Sequence, residues 1–154
     1  MKKIVLLAIS TILLFVSCAS SPEKAAEAHQ EEVNQAFEEV YGHFDKLLIL
    51  DGAKDYKVKK GDTLSKIAKD FYGDDNGYYF PLIMLASSET VLDPDLIEPG
   101  MVLTVPDLQK NLADTSVHES LKGFFTEIAD VYKGKDTATA GTVREELLKI
   151  ARAL

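Results

Sequence analysis

Residues 56–73 read Y-K-V-K-K-G-D-T-L-S-K-I-A-K-D-F-Y-G, and residues 94–106 read P-D-L-I-E-P-G-M-V-L-T-V-P. In the first stretch Tyr56 and Val58 alternate with Lys57 and Lys59, the period of a strand with one face buried. Gly61-Asp62 makes a turn, and Thr63 stands where a helix N-cap belongs, followed by Lys66 three positions on. Leu64, Ile67, Ala68 and Phe71 then fall at helical spacing. The run from Tyr72 to Gly77 is turn chemistry throughout, and a second short helix fits Tyr79 to Leu85, with Phe80, Ile83 and Met84 on one face. Asp93 to Gly100 is a Pro-marked loop, and Met101 to Pro106 closes as a strand that proline ends. The order between residues 56 and 107 is strand, helix, helix, strand.

These two stretches resemble the lysin motif, LysM, a carbohydrate-binding module of bacterial cell-wall proteins. The resemblance implies an α+β fold in which two antiparallel strands carry both helices on one face. It also implies a shallow groove that binds glycans containing N-acetylglucosamine; in a cell-envelope protein that glycan is peptidoglycan. Carried over by position, the groove is formed by Gly61, Asp62, Thr63 and Leu64 of the first loop. Across from them come Ser87, Asp93, Pro94, Asp95 and Leu96, from a second loop running from about Ala86 to Ile97. An N-acetyl sugar offers an amide donor, an acceptor and a methyl, which loop backbone groups beside a small apolar floor hold without any charge. Gly61 allows close backbone approach and Thr63 both caps the helix and faces the ligand, although Leu64 and Ile97 suit the core equally well and Gly61 suits the turn alone. The chain departs from the family at three places: Ser87 stands where Asn is common, Pro99-Gly100-Met101 where Pro-Gly-Gln is common, and Asp74 to Tyr79 lengthen the inter-helix loop.

The N-terminus reads as an address. Lys2 and Lys3 precede an apolar run from Ile4 to Val16, the pattern of an export signal over residues 1–17. As a helix that run spans roughly 20 Å, short of the roughly 30 Å hydrocarbon core. It ends in F-V-S-C-A, with the chain's one cysteine at position 18. This resembles the lipobox of bacterial lipoproteins, apart from Phe15 where Leu is usual. The resemblance implies that Cys18 takes a diacylglycerol group and becomes the first residue, with two or three acyl chains holding the protein to a membrane. The alternative is an ordinary signal peptide that leaves a free thiol.

Outside the module the pattern is helical. Residues 18–22 form a tether, and Val33, Phe37, Val40, Phe44 and Leu47 make one apolar stripe on a helix over 23–52, which stops near Asp51-Gly52. Val117, Leu121, Phe124, Phe125, Ile128 and Tyr132 make a second stripe, with Thr115 and Ser116 as caps. Gly134 to Gly141 reads as a loop, and a last helix carries Val143, Leu147, Leu148, Ile150, Ala151 and Leu154. Such stripes do not stay exposed to water. The economical arrangement packs the C-terminal region, 115–154, with the N-terminal helix as a small bundle; self-association of that helix is the alternative.

The 154 residues carry a net charge of −8, with 46% hydrophobic and 27% charged residues, enough to bury a core. An acidic chain lacks the clustered Lys and Arg that nucleic-acid binding needs. One cysteine permits no internal disulfide, and neither a metal site nor a cofactor is expected. His29, His43 and His118 are scattered, and His118-Glu119 lacks the second His of a zinc helix, so no enzyme is expected. The expected function is that of a lipid-anchored cell-envelope protein, facing the periplasm or wall, that binds peptidoglycan. The alternative is an envelope adaptor whose helices bind a protein partner, with the module as scaffold.

Overall fold

In the computed structural model, which describes residues 22–154, helix α1 (Pro22–His43) buries Val33, Phe37, Val40 and Tyr41. The expected signal segment and Cys18 lie outside the described residues. The helix ends earlier than the 23–52 expectation. Phe44 N–H donates to the Tyr41 carbonyl at 3.1 Å and Leu47 N–H to that of Phe44 at 3.0 Å, which turns the chain. Beyond the turn, the backbone finds its partner elsewhere: Ile49 N–H donates to the Asn111 side-chain oxygen at 2.8 Å, and the Asn111 amide donates back to the Ile49 carbonyl at 3.0 Å. Asn111 is buried, and its amide stands in for the ladder that a helix would have supplied.

Strand β1 (Lys54–Lys57) pairs antiparallel with β2 (Val102–Val105), with Tyr56 opposite Leu103. Val58 N–H to the Met101 carbonyl, and Gly100 N–H to the Val58 carbonyl, both at 2.9 Å, prolong the contact. Thr63 caps α2 (Leu64–Tyr72), its hydroxyl accepting from Lys66 N–H at 3.2 Å. Leu64, Ile67 and Ala68 are buried as their spacing requires, whereas Phe71 is 37% exposed and sets its ring against Tyr56.

Asp74–Tyr79, read from sequence as a turn, winds into a 3-10 helix laid against α2. Gly77 permits this approach, since a Cβ there would meet Lys69 Cε at 2.8 Å and the Ser65 carbonyl oxygen at 3.2 Å. Gly77→Ala is therefore expected to destabilise the chain by roughly 1–3 kcal/mol, the cost of overpacking, read as a lower urea midpoint at unchanged slope.

Helix α3 (Pro81–Ala86) corrects the one-face expectation, because Pro81, Leu82, Ile83, Met84 and Leu85 are all buried. At six residues it has little stability of its own and persists by packing. It lies on β2, while the neighbouring 3-10 segment is met by the C-terminal helices.

A short α4 (Leu108–Ala113), capped by Asp107, was not foreseen. The cap ahead of the next turn is Asp114, which accepts from Ser116 N–H at 3.0 Å, rather than Thr115 or Ser116. Helix α5 (His118–Val131) buries Leu121, Phe124, Phe125 and Ile128 and packs against both α1 and α6 (Ala140–Ala153). Phe37 joins them, stacked near Tyr41 and edge-on to Tyr132 at 6.0 Å. The fold is α+β, and one core runs from the three long helices into the module through Phe125, whose ring meets Tyr79 at 5.7 Å. Among the described residues no helix is long and apolar enough to cross a membrane.

Candidate functional site

The first loop is built around Asp62. Its carboxylate accepts from the Tyr56 hydroxyl and from Lys59 N–H, each at 2.8 Å, and its side chain is only 7% exposed. Gly61 takes a φ of +87°, a conformation costly for any residue with a Cβ, which lets the chain fold back over that carboxylate. The hydrogen bonds from Lys59 N–H and Tyr56 hold Asp62 below the usual carboxylate range. A folded-state value below the unfolded one means that stabilisation is present above the ordinary carboxylate range and is lost as pH falls through the lowered value. Acidification is expected to free the Lys59 amide and Tyr56 hydroxyl together, and Asp62→Asn to remove this step; an NMR pH titration reads both.

The second loop is anchored from the helices. Asp93 is 1% exposed; one oxygen pairs with Lys135 and accepts from Asp95 N–H, and the other accepts from the Gln30 side chain of α1 at 2.9 Å. Lys135 also pairs with Asp95 at 2.9 Å, and its ammonium lies over the rings of Phe37 and Tyr132 at 5.6 and 5.7 Å. Its side chain is 4% exposed. This buried cation ties the loop ahead of β2 to the bundle. No local pattern marked Lys135, which sits in a stretch that composition reads as a polar loop.

Between the two loops lies a groove of about 270 Å³. Thr63, Leu64 and Ser65 form one side and Pro94 and Asp95 the other, with Tyr78 and Phe80 beside them; Tyr132, Thr139 and Val143 complete the lining. Its one charged lining group, Asp95, is already paired with Lys135, which leaves hydroxyls and aromatic faces for a neutral, hydroxyl-rich ligand. Burial, then the Asp95 and Asp93 charges, push the Tyr132 phenol upward, so it stays protonated.

The family model for the LysM domain matches residues 56–106. This chain carries a LysM domain. LysM is a binding module associated with peptidoglycan and related glycans, and the groove lies between its two loops. Over 51 residues the chain is 45% identical to an uncharacterized protein of Deinococcus radiodurans, a match covering 33% of this chain and 19% of that one. Over 52 residues it is 46% identical to the potassium binding protein Kbp of Escherichia coli O6:H1, covering 34% of each. The chain thus spans about a fifth and a third of these relatives, and no solved structure matches it.

Of the nine positions carried over from the LysM pattern, four meet in the groove: Thr63, Leu64, Pro94 and Asp95. The other five lie elsewhere. Gly61 is exposed at the turn, Asp62 staples its own loop, and Leu96 is 48% exposed outside the lining. Asp93 faces Lys135. Ser87 is buried beside β2, its hydroxyl accepting from Thr104 N–H at 2.9 Å and donating to the Thr104 carbonyl at 3.4 Å. It thereby covers one peptide of that strand's open edge. Among the described residues no cluster of His, Cys, Asp or Glu is arranged to hold a metal ion.

Proposed function

We propose that this protein is a lipid-anchored component of a bacterial cell envelope that holds peptidoglycan through its LysM domain. The observation that carries the reading is the groove itself: two LysM loops facing one another across a hydroxyl- and aromatic-lined space whose one charged group, Asp95, is ion-paired. The F-V-S-C-A run ending at Cys18 and Ala19 supports the anchor. A shallow groove binds weakly, and tethering at the membrane raises the local concentration of wall glycan enough for weak sites to hold. No catalytic role is assigned, since LysM is a binding module and the groove's one carboxylate, Asp95, is engaged in an ion pair with Lys135.

Co-sedimentation of residues 19–154, which keep every described residue, with insoluble peptidoglycan tests the reading. Wild-type chain is expected in the pellet, and Ser65→Trp, which fills the groove, in the supernatant. A folded wild-type chain that stays in the supernatant overturns it. In cells, incorporation of labelled palmitate is expected and is lost in Cys18→Ala; no labelling of the wild type removes the anchor.

A second reading, an adaptor for an envelope protein, is favoured by a notch of about 320 Å³ on the sheet side that includes Leu48, Leu50 and Val102. Leu50 is 49% and Val102 53% exposed. Cross-linking in cells that is lost in Leu50→Glu, with peptidoglycan retention unchanged, would identify that role.

A further inference from the structure

The groove is not a product of the LysM domain alone. Tyr132 follows α5, Thr139 precedes α6 and Val143 lies on its first turns, all well beyond the matched segment. Tyr132 is 4% exposed, its ring edge-on to Phe37 with the Lys135 ammonium lying over both rings, and its hydroxyl makes no hydrogen bond among the described residues. The hydroxyl is not sealed off from the surface, and the space that Tyr132 lines is the groove.

We propose that Tyr132, Thr139 and Val143 form a third wall of the glycan site, so that the C-terminal helices take part in recognising the sugar. The proposal rests on the glycan reading above and adds to it residues from outside the LysM domain. The chemistry fits an N-acetylated sugar. The protonated phenol donates to the acetamido carbonyl or to a ring hydroxyl, Thr139 offers a second hydroxyl, and Val143 with Leu64 gives the acetyl methyl an apolar contact. At about 270 Å³ the space is at the small end for ligand sites, suited to one sugar unit rather than to a long glycan buried along its length. Lys135 acts through position: by holding Asp93 and Asp95 it fixes the facing loop at the distance this wall requires.

The test is an NMR titration of residues 19–154 with tetra-N-acetylchitotetraose, with a thermal melt of each variant. Tyr132→Phe keeps the ring and removes the hydroxyl; affinity is expected to fall roughly three- to tenfold, the value of one neutral hydrogen bond, at an unchanged melting temperature. Thr139 is exposed, so Thr139→Trp leaves the core intact and is expected to weaken binding at least tenfold by filling the space. Ser65→Trp blocks the same groove from the LysM side. Wild-type affinity in both Tyr132→Phe and Thr139→Trp, with loss in Ser65→Trp, overturns the third wall and leaves the LysM reading standing. Absence of binding by the folded wild type overturns the glycan reading and this inference with it.

Discussion

Lys135→Met is expected to lower stability by about 3–5 kcal/mol, because it strands the carboxylate of Asp93, 1% exposed, without its cation. For a chain of this size that is a fall of roughly 10 °C in melting temperature. Asp95, 52% exposed, turns to solvent and contributes little of this loss. Pairing Lys135→Met with Asp93→Leu is expected to recover part of the stability, since it removes the stranded charge but leaves Asp95 N–H and the Gln30 amide without their acceptor. The Lys110–Asp51 pair makes the useful contrast. At 2.6 Å it is well formed, but it sits in water, and Lys110→Met is expected to change the melt little. A melt of Lys135→Met that matches the wild type would show that the buried pair does not hold the loop to the bundle.

Phe125→Ala is expected to cost a further class of contact, roughly 3–5 kcal/mol from lost burial and the cavity left behind. Phe125 is fully buried, edge-on to Phe124 and to Tyr79, both at 5.7 Å, and so joins α5 to the LysM domain. Because one core serves helices and module, far-ultraviolet dichroism and tyrosine fluorescence are expected to report a single, earlier transition. Two separate transitions in the variant would mean that the module and the bundle fold independently once this ring is gone.

The βααβ unit was legible because its signals are local: alternation at Tyr56 and Val58, the Thr63 cap, the helical spacing of Leu64, Ile67 and Ala68, and the terminal Pro106. The apolar stripe of α1 was legible for the same reason. Its end was not, because the groups that take over from the helix at Ile49 belong to Asn111, far along the chain. Helix α4 is too short for periodicity to reveal. The burial of α3 on every side reflects the elements folded around the module, which no pattern within residues 79–85 encodes. Of the positions that resemblance pointed to, Thr63, Leu64, Pro94 and Asp95 line one groove. Resemblance could not foresee that Asp93 and Ser87 serve the fold, since Lys135 and Thr104, their partners, are distant in sequence.

The packing of α1 against α5 has a consequence for the order in which the protein is made. During synthesis Val33, Phe37 and Val40 emerge early, and the helix that covers them is added only after the whole LysM domain. At roughly 5–20 residues per second, several seconds separate the two events. Over that interval the first helix lacks the α5 surface it packs against in the finished fold, so the nascent chain depends on some other cover. A chain truncated before His118 never acquires its own. Premature termination between Pro106 and Val117 therefore yields a product with the whole LysM segment and an N-terminal helix that lacks its α5 partner.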